Sequence, residues 1–264
     1  MRSVLIWFIA FLITALSAVY QRVTGPTYPV RGSIKLNNRE IKYKFPRSHV
    51  SSKDCKIIIR VNDKNIKGKL YFKRYPSDMP WTSLLMENNG RELTGVLPHQ
   101  PPAGKLEYYL TFTEDNNEFR IPSENSIIIR FKGDVPVFLV IFHAVIMFSA
   151  MLFSTRSGIE ALRKKRNLKF YVYWTVGLLF IGGMVLGPIV QKYAFGAFWT
   201  GFPFGFDLTD NKTLIAFLGW IGALIAVIRG RNEKIWVLGA SVLLLIIYLI
   251  PHSLLGSELK YDNK

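Results

Sequence analysis

The chain has 264 residues, half of them hydrophobic, with 34 Lys and Arg against 18 Asp and Glu and a net charge of +16. Its single cysteine, Cys55, excludes an intrachain disulfide and any zinc or iron–sulfur site built on several thiols. No nucleic-acid motif accompanies the positive charge; much of it falls in short loops beside apolar segments, where Lys and Arg set membrane topology and attract anionic lipid headgroups.

The mean hydropathy of +0.20 conceals a segregation. Residues 1–20 and everything after Val135 are apolar, while the middle of the chain is polar. Residues 4–20 follow Arg2 as an unbroken apolar run, close to the lower limit of about 17 residues for a spanning helix. Two readings compete here. A signal peptide would be cleaved near Ala15-Leu16-Ser17, whereas an uncleaved anchor uses the whole run and is the reading adopted. Either one carries the following domain across the membrane.

Residues 21–134 carry β signals throughout. Short runs rich in β-branched and aromatic residues fall at 34–36, 41–45, 56–61, 68–75, 107–112 and 126–131, separated by Asn, Asp and Gly turns. Strands at this spacing predict an antiparallel β-sandwich. The segment Leu97-Pro98-His99-Gln100-Pro101-Pro102-Ala103-Gly104, followed by Lys105-Leu106-Glu107-Tyr108-Tyr109-Leu110, resembles the proline-glycine turn and tyrosine strand of bacterial fibronectin type III or immunoglobulin-like modules. The resemblance implies the fold of the domain and a role as spacer or interaction surface. Cys55, His49 and His99 read as ordinary strand and loop residues.

Residues 135–252 predict a four-helix transmembrane domain, so the fold class is a membrane α-helical bundle with an N-terminal anchor and an inserted all-β sandwich. The spans are expected at 136–155, 170–190, 213–228 and 235–250. A basic loop at 156–169 and another at 229–234 read as cytoplasmic by the positive-inside rule. Within the second span, Gly183 and Gly187 suit close helix packing, and Pro188 is expected to kink or end it. The resulting topology is that of a bacterial inner-membrane, multi-pass protein, with the β-domain and the polar tail 253–264 on the periplasmic side. The spans carry almost no acids, which argues against an ion-driven transporter. P-loop, Gly-x-Ser-x-Gly, His-Glu-x-x-His and Cys-x-x-Cys-His patterns are all missing.

The least generic stretch is 193–213, YAFGAFWTGFPFGFDLTDNKT, expected to be an outward-facing loop. Asp207 and Asp210 precede a helix, where acids cap free N–H groups and suit the macrodipole. Capping and an interfacial aromatic belt form one reading. The other is a ligand, quinone or partner site built on Trp199, Asp207 and Asp210, with Asn211 a further oxygen donor to a cation, although the spacing is not that of an EF-hand. His143 and His252 add a second possibility, because haem b in a membrane bundle is held by two histidines. At a rise of 1.5 Å per residue, His143 lies about 12 Å below the surface and His252 only a few Å deep, a mismatch that weakens a shared haem. A common outward cavity lined by His143, His252, Trp199, Asp207 and Asp210 is compatible with both. The expected function is a non-enzymatic interaction or scaffold component of a membrane assembly, contacting an exported or membrane protein through the β-sandwich. The alternative is a haem- or quinone-binding redox subunit.

Overall fold

A computed structural model describes residues 2–36, 39–114, 117–163, 167–251 and 259. The protein is mixed helical and β, and it divides into two compact units, a helical one from residues 2–26 and 135–251 and a β one from Thr27–Asp134.

The helical unit contains α1 (Arg2–Thr24), α2 (Val137–Ala161), α3 (Leu168–Leu179), α4 (Gly187–Phe195), α5 (Leu208–Arg229) and α6 (Glu233–Leu249). A π-helical stretch, Phe180–Leu186, joins α3 to α4 without a break. Four segments are long and apolar enough to cross a membrane, Ser3–Thr24, Val137–Ala161, Leu168–Phe195 and Leu208–Arg229. This is a multi-pass membrane protein by length and composition. Helix α6, with 17 residues, spans about 26 Å at the helical rise, a little short of a hydrocarbon core of about 30 Å. The helices pack on small residues, Ala150, Ala216, Ala223 and Ala240, around the fully buried Trp220, which lets backbones approach closely. Large apolar side chains such as Phe138, Phe142, Ile225 and Ile235 face outward, as expected of helices solvated by lipid rather than water.

Three helix boundaries differ from those expected. Pro188 does not end its helix. The N–H of Gly187 bonds to Gly182 O in the wider π register, so Pro188 falls in the first turn of α4, where its missing N–H costs little. Helix α2 runs through Arg156 to Ala161 instead of stopping at residue 155. Helix α5 starts at Leu208 rather than 213, because the Asp207 side chain caps it.

In the β unit, β1 (Val30–Leu36) and β2 (Arg39–Phe45) form a hairpin. The remaining strands are β3 (Ser48–Val50), β4 (Cys55–Arg60), β5 (Lys67–Arg74), β6 (Thr82–Leu85), β7 (Glu87–Asn88), β8 (Glu92–Leu97), β9 (Lys105–Glu114), β10 (Asn117–Ile121) and β11 (Ile127–Lys132). A six-stranded sheet runs β3-β11-β9-β5-β6, with β10 also on β9; a three-stranded sheet runs β4-β8-β7. All neighbours are antiparallel except β3 with β11. Burial alternates strictly along β4, so Cys55, Ile57 and Ile59 face inward. They share one core with Leu93 and Leu97 of β8, with Leu70, Leu106, Leu110, Ile129 and Phe131 of the larger sheet, and with Phe45 of the hairpin. All six expected strands are present. Strand β8 escaped sequence reading because Gly95 interrupts its pattern. That glycine is closely packed, since a Cβ there would lie 3.0 Å from Leu70 Cδ2.

Candidate functional site

The segment between α4 and α5 is built around Asp210. Gly196, at φ +87°, ends α4 in the left-handed conformation, and the chain turns back on itself. The Asp210 carboxylate, 6% exposed, accepts from Thr200 N at 2.6 Å, Thr200 Oγ1 at 3.2 Å and Gln191 Nε2 at 3.1 Å. Gln191 Nε2 also donates to Thr200 Oγ1 at 2.7 Å. One residue on, Asn211 Oδ1 accepts from Phe202 N at 2.7 Å. Gly201 sits directly over this pair, and a Cβ there would lie 2.6 Å from Asp210 Cβ and 2.8 Å from Asn211 Oδ1. Asp207 accepts from Thr209 N at 2.8 Å and, at 3.4 Å, from Asp210 N, which is an N-cap. Trp199 Nε1 donates to Phe202 O at 3.0 Å. At the start of α5, the buried Lys212 donates to Ile250 O at 2.6 Å, where the last carbonyls of α6 would otherwise lack partners.

Each candidate residue of this loop is therefore engaged within the protein. Asp207 caps, Asp210 fastens the turn and Trp199 closes it. What the loop presents outward is apolar: Phe198, Phe202, Phe204 and Phe206, the last 92% exposed. Lys192 Nζ stands 5.5 Å from the Phe198 ring.

His143 on α2 meets the π stretch. Its Nδ1 lies 3.1 Å from Gly182 O. A carbonyl only accepts, so Nδ1 is the donor in this contact. The neighbouring Gly183 packs against Thr213, three residues beyond Asp210, so His143 is linked through the π stretch to the base of the loop. His252 lies outside the described residues. Among the described residues, no group of three or more His, Cys, Asp or Glu could share a metal ion.

A second polar cluster was not anticipated. The sequence pattern places Arg156 and Glu160 in a solvated basic loop, yet both lie inside α2 and are buried. Arg156, 3% exposed, donates from Nη1 to Glu160 Oε2 at 2.6 Å. Its guanidinium rests over Tyr171 at 4.5 Å and Trp7 at 5.6 Å. The i, i+4 spacing was visible and is the spacing of a helical ion pair. Ser157 and Thr175 face each other beside it at 3.4 Å.

The β unit carries a surface cluster on the outward face of its larger sheet. Tyr71 and Tyr109, paired across β5 and β9, stack at 4.8 Å with rings 4° from parallel. Trp81 meets Tyr109 edge-on at 4.8 Å. Arg120 lies 4.2 Å from the Tyr109 ring, Lys73 5.0 Å from Trp81, and Lys73 pairs with Glu107 at 3.6 Å. Cys55, His49 and His99 lie outside this cluster. The Cys55 thiol is buried, which pushes its pKa up to about 11. His99 lies in a loop, as expected, where its N–H and Nδ1 contact Asp54 Oδ1 at 2.8 and 2.7 Å, and the backbone hydrogen bond is the main reason the Asp54 pKa is lowered. His49 belongs to β3.

No family model matches the chain, and no curated protein or solved structure matches it.

Proposed function

We propose that the protein is a non-enzymatic interaction component of a membrane assembly. In this reading the helical unit sits in a bacterial inner membrane, anchored also by an uncleaved α1. The β unit is an exported sandwich of fibronectin type III or immunoglobulin-like type that contacts an exported or membrane protein. One observation carries the reading: the acids of the aromatic loop are engaged in internal hydrogen bonds, while the β unit leaves Trp81, Tyr71 and Tyr109 interleaved with Lys73 and Arg120 on an open sheet face. Aromatic residues and Arg dominate the energetics of protein interfaces. Photo-crosslinking residues placed at Tyr71 and Trp81 in intact cells should give discrete protein adducts, and one at Lys56 on the smaller sheet should not. Absence of adducts from the tyrosine face defeats the proposal.

His143 supports a second reading. A histidine whose Nδ1–H is held by a carbonyl presents Nε2 as a ligand, the usual arrangement at metal and haem sites. The haem form of that reading, with His143 and His252 as axial residues and Trp199, Asp207 and Asp210 nearby, requires a Soret band that disappears in His143→Ala. A quinone in the same place would instead be extracted with organic solvent from the wild type and not from that variant.

A further inference from the structure

Strand β6 ends the larger sheet and pairs only with β5 among the described residues. Met86 N donates to Gly68 O at 2.9 Å. The register continues Leu84 with Leu70 and Thr82 with Phe72. Hydrogen-bonded pairs alternate along an antiparallel ladder. Ser83 and Leu85 therefore aim their backbone N–H and C=O away from the sheet.

Natural sheets blunt such edges with charges, prolines, bulges or very short strands. At other sheet ends β3 is three residues long and β7 two, while the longer outer strands β4 and β10 carry charges, Lys56 and Arg60 on one and Glu118 and Arg120 on the other. Strand β6, Thr-Ser-Leu-Leu, has neither charge nor proline and is exposed at all four positions. Leu85 is 76% exposed, and Leu84, Trp81 and Met79 are exposed beside it.

We infer that the β6 edge receives an extended peptide segment, carrying acidic residues at alternate positions, as an added strand. The inference rests on the interaction reading above and names the class of partner. Charge selects the occupant. On the outer face, β5 carries Lys67, Lys69 and Lys73 beside β6, and β9 and β10 add Lys105 and Arg120, against Glu87, Glu107 and Glu118. Residues 27–134 hold 19 Lys and Arg against 12 Asp and Glu. A second copy of the chain would bring the same cations together across the edge, whereas an acidic strand places its outer side chains toward Lys67 and Lys69. Backbone bonds to Ser83 and Leu85 then give affinity, and alternate side chains give specificity.

The test uses the full chain in nanodiscs of zwitterionic lipid. The probe is a fluorescein-labelled Glu-Val-Glu-Val-Glu-Val peptide, with Lys-Val-Lys-Val-Lys-Val as control. The acidic peptide should bind at least tenfold more tightly than the basic one. Ser83→Pro, which removes one outward N–H and no ladder bond, and the double variant Lys67→Glu/Lys69→Glu should each weaken it tenfold or more. Saturating peptide should slow exchange of the Ser83 and Leu85 amides and leave Leu84 unchanged. Equal binding of the two peptides, no binding, or unaltered affinity in the charge-reversed variant overturns the inference. A concentration-dependent dimer that Ser83→Pro abolishes assigns the edge to a second copy and also overturns it. If Tyr71 still crosslinks to a partner in cells while the peptide fails, only the edge inference falls; loss of both removes the interaction reading as well.

Discussion

Replacing Asp210 with alanine tests whether the loop between α4 and α5 is one cooperative knot. The carboxylate holds two well-placed donors, Thr200 N at 2.6 Å and Gln191 Nε2 at 3.1 Å, and a more marginal one, Thr200 Oγ1 at 3.2 Å. Hydrogen bonds to a charged group contribute about 1.5–3 kcal/mol each, and buried donors left without partners add to the loss. Two such bonds at the lower figure give about 3 kcal/mol. Asp207→Ala removes one good bond and one at 3.4 Å, a cap loss of about 1 kcal/mol. Amide exchange in detergent micelles separates the two. The Phe202 N–H is held by Asn211, which neither substitution touches, so its exchange reports opening of the whole loop. It should accelerate about 100-fold in Asp210→Ala, since about 1.4 kcal/mol is a factor of ten, and about fivefold in Asp207→Ala. Acceleration confined to Thr200, or equal effects of the two variants, would refute the reasoning.

Further tests address other parts of the chain. Arg156→Ala and Glu160→Ala should each cost about 3–5 kcal/mol in denaturant unfolding, because each leaves a buried charge alone, and the double variant should be less destabilised than either. Additive losses would contradict the pairing. Cys55 has a pKa pushed up to about 11, so near pH 8 only about 0.1% is thiolate. Alkylation should be slow in the folded state and fast in denaturant. Because the folded thiol holds its proton above the ordinary value of 9.0, its contribution to stability is present below that pH and declines between about 9 and 11; Cys55→Ala should remove that part of the slope. Gly95→Val should unfold the β unit or lower its melting temperature sharply, given the Leu70 contact.

The sequence made the elements legible wherever periodicity and composition agreed. The apolar runs identified the helices, and alternation in residues 56–61 and 68–75 identified β4 and β5. Capping by Asp207 was readable from its place before an apolar run. The role of Asp210 was not, because its donors come from Gln191 and Thr200, across a turn whose path no local pattern dictates. Arg156 and Glu160 were misplaced for a related reason. A charged pair beside an apolar run resembles a solvated loop until Tyr171 and Trp7, from two other helices, are seen to cover it. Strand β6 was missed because four residues after Pro80 carry too little pattern to register. The β6 edge is visible only once β5 provides the ladder that defines its outward side.

The central claim is that the helices lie in the membrane with the β unit exported, and its most direct test is thiol labelling in intact cells. In a Cys55→Ala background, Leu85→Cys and Phe204→Cys should react with a membrane-impermeant maleimide, while Lys169→Cys should react only after permeabilisation. Labelling of Lys169→Cys in intact cells, with Leu85→Cys protected until they are opened, would contradict the account.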